Sequence, residues 1–324
     1  MALHPEVRAL VDAMAANPDA KPTHELSPAE AREAYRAMAA LLGPGEPVAT
    51  VEERHVPGPA GPVPVRVYRP DGAGPHPILV FYHGGGWVIG DLDTHDRECR
   101  ALCRGAGCIV VAVDYRRAPE HVFPAAVDDA LAALRHVAAH AAELGGDPQR
   151  IAVGGDSAGG NLSAVVALEA RDAGGPGLRM QLLVYPAVDL RAASDARYPS
   201  RSENAEGPFL LRETMDWFVG HYLGDDDAAR ADWRASPLLA ASLADLPPAY
   251  VATAEHDPLR DEGEAYADAL AAAGVPVRRR LFEGMPHVFF QLSPVVGAGR
   301  ELLAEASAAL RAAFDVDAGR RRSG

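Results

Sequence analysis

Residues 151–172 read IAVGGDSAGGNLSAVVALEARD, and this stretch decides the fold. Ile151–Val153 is a short apolar run that predicts a strand, and Ala158–Asp172 has the length and spacing of a helix. Between them stands Gly155-Asp156-Ser157-Ala158-Gly159, a G-x-S-x-G pattern for which this composition predicts about 0.1 chance matches. The flanking elements raise its weight. A strand that turns sharply into a helix holds the serine in a strained conformation and projects its Oγ from the C-terminal edge of a sheet. Glycines on both sides let neighbouring chain approach, and the helix N-terminus favours developing negative charge. A glycine-rich turn that opens a helix around an incidental serine is the alternative at this point.

Working outward, short apolar runs alternate with helical stretches from about residue 48. The runs are Val63–Tyr68, Ile78–Tyr82, Cys108–Val113, Leu182–Tyr185, Ala249–Ala254 and Val277–Phe282, besides Ile151–Val153. Helical stretches between them include Ala125–Leu144 and Glu262–Ala273. This alternation predicts an α/β fold, with a mostly parallel central sheet covered by helices on both faces. Two amphipathic helices come before it. Leu3, Val7, Leu10, Val11 and Met14 share one face, and Ser27-Pro28-Ala29-Glu30 is a capping box opening a helix to about Leu42. Residues 191–223 break the rhythm and carry Phe209, Met215, Trp217 and Phe218 in a helical pattern, as expected of an insertion. Asp225-Asp226-Asp227 reads as a solvated loop and Arg320-Arg321-Arg322 as a frayed tail.

Composition narrows the function. Lys+Arg 31 against Asp+Glu 45 leaves a net charge of −14, and Lys21 is the only lysine. A chain this acidic argues against a nucleic-acid or anionic-membrane partner, both of which call for clustered basic residues. Met1–Leu10 has no apolar core of a secretory signal, and no stretch approaches a spanning helix, so a cytoplasmic protein is expected. Cys99, Cys103 and Cys108 are too few for a disulfide framework. His95, Cys99 and Cys103 would align on one helix face, but a fourth ligand is lacking, so reduced packed thiols and no metal are expected.

His83-Gly84-Gly85-Gly86-Trp87 follows the run Ile78–Tyr82, and about 0.01 chance occurrences of its H-G-G-G are expected. A tetrahedral intermediate places negative charge on a former carbonyl oxygen. Backbone N–H groups stabilise it only where no side chain blocks their approach. Gly84 and Gly85 are the donors expected from this loop, with Ala158 from the elbow, while His83, Gly86 and Trp87 support them. The loop lacks the Lys-Ser/Thr of a phosphate-binding loop.

A serine nucleophile needs a base and an acid, which follow it in the chain in elbow-type hydrolases. Of His221, His256 and His287, the last follows the final strand, where the sheet edge presents side chains, and is the expected base. Asp257 follows the run Ala249–Ala254 at the same edge and is the expected acid, with Glu255, Asp261 and Glu262 as alternatives.

Taken together, these segments resemble the hormone-sensitive-lipase-like esterases, the bacterial family IV group of α/β-hydrolases. The resemblance runs from about Val65 to Phe314. It rests on His83–Trp87, Gly155–Asn161, Asp257-Pro258-Leu259-Arg260-Asp261 and Gly284-Met285-Pro286-His287. Asp114-Tyr115-Arg116-Arg117-Ala118-Pro119-Glu120 and Phe123-Pro124-Ala125-Ala126 also look like a family segment, although Arg117 stands where the family usually carries leucine. Asp156 marks the branch with aspartate before the serine.

The resemblance implies a helical cap in two pieces, residues 1–45 and 191–223, over a core of 46–190 and 224–318, with 319–324 as a tail. It implies a serine carboxylesterase that cleaves short- to medium-chain esters without a cofactor, with a homodimer through a sheet edge as a further expectation. Phe209, Met215, Trp217 and Phe218 would then line a substrate pocket or pack the cap's own core. An amidase, aryl formamidase or lactonase would share the same residues. A non-catalytic relative would lack a member of Ser157, Asp257 and His287, and all three are present.

Overall fold

The computed structural model describes residues 2–16, 21–192 and 194–315, so the expected tail 319–324, with Arg320 to Arg322, lies outside the described residues. Its strands are β1 (Thr50–Gly58), β2 (Gly61–Arg69), β3 (His76–Tyr82), β4 (Ile109–Val113), β5 (Gly146–Asp156), β6 (Gln181–Val184), β7 (Ala249–His256) and β8 (Val277–Pro286). They form one sheet in the order β1-β2-β4-β3-β5-β6-β7-β8. The β1/β2 and β2/β4 pairs are antiparallel, and the other pairs are parallel.

The helices follow from the sequence pattern. α1 (Pro5–Ala15) and α2 (Pro28–Leu41) precede the sheet, and α2 carries its capping box, with Glu30 N–H donating to Ser27 Oγ at 3.3 Å and Ser27 N–H to Glu30 Oε2 at 2.9 Å. Crossover helices include α3 (Asp96–Ala106), α4 (Ala125–Ala139) and α5 (Ala158–Asp172). Residues 191–231 contribute α6 (Ser194–Arg197), α7 (Ser200–Glu203), α8 (Arg212–Leu223) and α9 (Asp227–Ala231), followed by α10 (Arg260–Ala272) and α11 (Gly297–Asp315).

Period-two alternation sorts the central strands between two cores. Ile78, Val80 and Tyr82 of β3 pack with Leu134 of α4, Leu162 of α5 and Tyr266 of α10. Leu79 and Phe81 face the other way, toward Leu102 of α3 and Leu302 and Leu310 of α11. Each of these large apolar side chains is buried, a stabilisation of about 1.5–3 kcal/mol apiece.

Several elements differ from expectation. β1 has no counterpart among the predicted runs. The expected helix Ala125–Leu144 stops at Ala139 because His140 leaves the helical region at φ −115°, and a 3-10 turn follows. The three aspartates are not simply a loop, since Asp226 caps α9 by accepting from Ala228 and Ala229 N–H. Phe209 precedes α8 at φ 73° and is not part of the helical pattern.

Register brings the loops of interest together. Tyr82 at the end of β3 pairs with Gly155 of β5, so residues 83–87 start beside the turn containing Ser157. His256 pairs with Pro286 after a bulge, so Asp257 and His287 leave the sheet side by side. This is the C-terminal edge of the parallel strands, flanking β3, where the chain steps first to β4 and then back past β3 to β5. Crevices form at such reversals.

Candidate active site

Ser157 joins β5 to α5 at φ 54° and ψ −117°, a conformation that side-chain-bearing residues hold only when their surroundings enforce it. Its N–H donates to Val184 O at 2.8 Å. The flanking glycines are required by the close approach of β3: a Cβ on Gly155 would lie 2.3 Å from Tyr82 O, and one on Gly159 only 1.8 Å from it.

Ser157 Oγ lies 3.0 Å from His287 Nε2, and His287 Nδ1 lies 2.6 Å from Asp257 Oδ2. Asp257 is fully buried and His287 nearly so. The second carboxylate oxygen of Asp257 accepts the Leu259 N–H at 2.8 Å, which fixes the carboxylate. With Nδ1–H donating to Asp257, Nε2 is free to accept the serine proton. The alternatives are engaged elsewhere. Glu255 accepts from Gly284 N–H at 2.7 Å, Asp261 from Ser200 N–H at 2.7 Å, and Glu262 from Val188 N–H at 2.8 Å. His221 packs edge-on against Trp217, and His256 lies 4.0 Å from Glu255.

The glycine loop corrects one expectation. Gly84 N–H donates to Asp156 Oδ1 at 3.0 Å, with His95 Nε2 at 3.3 Å, so it is engaged beneath the loop. Gly84 anchors the loop and does not face the crevice. Gly85 and Gly86 line the crevice with Ser157 and Ala158. Gly86 was expected to be a support, yet it lines the crevice beside Gly85.

The anchor is a buried polar network. His95 Nε2 lies 3.2 Å from Asp156 Oδ1, and Gln291 Nε2 donates to Asp156 Oδ2 at 2.6 Å. Tyr185 OH in turn donates to Gln291 Oε1 at 2.8 Å. Burial pushes the Asp156 carboxyl up, but the His95 charge and the hydrogen bonds outweigh it and leave it lowered. Burial pushes the His95 ring down, but the charge and hydrogen bond of Asp156, with the charges of Glu98 and Asp91, together outweigh that and leave it raised. Gln291 went unrecognised in the sequence, where its only signal is its place one helical turn after His287.

His83 is buried beside Tyr115. Burial, with the charges of His95 and Arg117, pushes it down to about 3, so it is neutral. Its Nδ1 donates to Gly84 O at 2.8 Å and its ring stacks on Tyr115 at 4.3 Å, bracing the loop. Arg117 is accommodated by donating to the Gly90 carbonyl and lying 3.8 Å from Asp114. The side chains expected to align as His95, Cys99 and Cys103 are engaged otherwise. His95 turns to Asp156, the cysteines are buried free thiols, and no group of three or more His, Cys, Asp or Glu among the described residues could hold an ion.

Above Ser157 opens a largely apolar cavity of about 440 Å³, within the range of small-molecule sites. Met14 of α1, Tyr35 and Met38 of α2, and Phe209, Met215 and Phe218 form much of its wall. Trp217 is not in the wall. One residue before Phe218, it is turned about 100° around α8 and packs behind the Phe218 ring at 5.2 Å.

A family model described as alpha/beta hydrolase fold matches residues 79–291. The chain is 51% identical over 267 residues to the carboxylic ester hydrolase LipN of Mycobacterium tuberculosis, covering 81% of this chain and 70% of that protein. It is 50% identical over 255 residues to the carboxylesterase NlhH of the same organism, covering 78% and 79%. A hyperthermophilic esterase structure from the archaeon Pyrobaculum calidifontis superposes with a TM-score of 0.91 at 40% identity, covering 96% of this chain and 99% of that one. The chain belongs to the α/β-hydrolase family. Within that family it is a member of the hormone-sensitive-lipase-like group of esterases.

Proposed function

We propose that this chain is a serine carboxylesterase that cleaves short- to medium-chain carboxylic esters through an acyl-enzyme. One observation carries the proposal: the hydrogen-bonded line from Ser157 through His287 to Asp257, at 3.0 and 2.6 Å, opens into an apolar cavity. The similarity to named carboxylesterases supports the same activity. Serine is a weak nucleophile until a base takes its proton. His287 accepts that proton as Oγ attacks the ester carbonyl, and Asp257 fixes the tautomer and stabilises the imidazolium. Backbone N–H groups of Gly85, Gly86 and Ala158 receive the developing oxyanion. His287 then protonates the leaving alcohol. Water, deprotonated by the same histidine, attacks the acyl-enzyme and releases the acid.

In this proposal α1, α2 and residues 191–223 form the cap, because they supply the cavity wall opposite the sheet edge. The preferred substrate is neutral, since the cavity's polar lining is small. Among the described residues no helix is long and apolar enough to cross a membrane. A cytoplasmic location and a homodimer through a sheet edge complete the proposal.

Ser157→Ala should abolish hydrolysis of p-nitrophenyl butyrate, and a serine-directed organophosphate should label Ser157 alone in the wild type. Full activity in that variant refutes the assignment. Matched amides turned over at comparable kcat/KM would move the chain to an amidase.

A further inference from the structure

We propose that Phe218 and Tyr222, one turn apart on α8, clamp the oxyanion loop, so that its donors stay aligned only while α8 is docked. The inference rests on the esterase reading above and concerns what positions its machinery.

The loop needs such a clamp. Gly85, Gly86 and Trp87 have φ of 112°, 57° and 60° in succession. A tryptophan in the left-handed region is strained, and two neighbouring glycines add conformational freedom. A segment of this kind relaxes unless packing holds it. On the sheet side it is tied by Val88 and Ile89 N–H to Gly85 O, and by Ala118 N–H to Trp87 O at 2.9 Å. Those bonds fix the ends of the turn and leave Gly86 and the Trp87 ring to be held from above.

α8 supplies that hold twice. The Phe218 ring lies flat on Gly86: a Cβ there would meet three of its ring carbons at 2.2, 2.4 and 2.6 Å. Tyr222 stacks on Trp87 with centroids 4.5 Å apart and planes 3° from parallel. Both side chains are buried, and residues four apart share a helix face. α8 is itself pinned there by Phe123 N–H, which donates to Tyr222 O at 3.0 Å. The Tyr222 hydroxyl has no hydrogen-bond partner among the described residues, so the ring and not the phenol does the positioning. Phe218 thus faces the substrate cavity with one edge and the oxyanion loop with its face. Lifting α8 frees Gly86 and Trp87 to leave the left-handed region, which turns the Gly85 and Gly86 N–H groups away from the oxyanion.

The test separates a clamp from a pocket wall. kcat and KM are measured on p-nitrophenyl acetate and butyrate for Phe218→Ala, Phe218→Leu, Tyr222→Ala and Tyr222→Phe, alongside inhibition by an alkyl trifluoromethyl ketone and by the matching alcohol. The ketone forms a tetrahedral oxyanion on Ser157, and the alcohol carries none. Phe218→Ala and Tyr222→Ala should lower kcat about tenfold to a hundredfold, short of the loss of a whole donor. KM should stay within about threefold, equally for both acyl groups. Ketone affinity should fall in step with kcat while alcohol affinity holds, and Tyr222→Phe should restore most of what Tyr222→Ala loses. A rise in KM at unchanged kcat, or a loss that grows with acyl length, makes Phe218 a pocket wall and nothing more, and overturns the proposal. If the alanine variants do not fold, Phe218→Leu carries the same readouts, because leucine keeps bulk but not a flat face over Gly86. A wild type active on esters with Phe218→Ala or Phe218→Leu at full kcat overturns this inference alone. A wild type inactive on every ester overturns the esterase reading and this inference with it.

Discussion

Glu98 shows how far one residue's environment can move its chemistry. It lies on α3, fully buried, with no side-chain hydrogen-bond partner for either carboxylate oxygen among the described residues and with Arg97 Nη1 at 3.6 Å. Burial pushes its carboxyl from 4.5 up to about 7, against the opposing pull of the His95 charge. The unfolded chain therefore ionises at this position before the folded chain does. Stability falls as pH rises from about 4.5 to about 7 and stays at the lower level above it. The interval corresponds to at most about 3 kcal/mol. Glu98→Gln removes the titration, while the cost of burying its amide does not depend on pH. The variant should gain stability relative to wild type between pH 4.5 and 8, by about 1–3 kcal/mol, measured as urea midpoints at both pH values. A difference that does not change with pH would show that the carboxyl titrates normally.

At the scale of elements, α2 offers a clean test of sequence-encoded structure. Ser27 and Glu30 satisfy each other's backbone at the helix start, three positions apart, so the bond is local. Ser27→Ala should cost about 1 kcal/mol, and Ser27→Asp much less. Amide hydrogen exchange in the first turn of α2 should speed up about fivefold if it opens locally. Unchanged exchange would mean that Tyr35 and Met38, packed over the cavity, hold the helix without its cap. The capping box was legible because its chemistry lies within four residues. β3, β4 and the Ser157 turn were legible for a related reason: burial on both faces leaves uninterrupted apolar runs, and a forced close approach leaves glycines. β1 was not legible. It is an edge strand with only Val56 buried, and Glu52, Glu53 and Arg54 erase the apolar pattern. α8 was recognisable as a helix, but its rotation was not, so Trp217 stayed open between pocket wall and internal packing, and it packs against Phe218 outside the wall. Gly84 was misassigned for a reason outside its own motif. Its N–H partner is Asp156, 72 positions away, and adjacent glycines look alike until that partner is placed.

At the scale of the molecule, the cavity is enclosed by parts of the chain that are far apart in sequence. Met14, Tyr35 and Met38 come from before the sheet, Phe209, Met215 and Phe218 from the insertion after β6, and Ser157 and His287 from the sheet edge. The two outer pieces are joined directly: His24 Nδ1 lies 3.0 Å from Thr214 Oγ1, and His24 Nε2 lies 3.2 Å from Glu213 on α8. A space of about 440 Å³ walled in this way sets the substrate range. Each methylene of an acyl chain that finds apolar wall contributes about 0.8 kcal/mol, or up to about fourfold in kcat/KM. That gain lasts while the added carbon is buried and ends when the chain must emerge into water. The kcat/KM of p-nitrophenyl esters should therefore climb from acetate through butyrate and hexanoate, then level and fall toward palmitate. Widening the wall with Met38→Ala should move the maximum to longer chains and lower kcat/KM for butyrate. A profile that rises without a break to palmitate would show that the wall yields to long chains, which places the selectivity in cap movement and not in the size of the space beneath it.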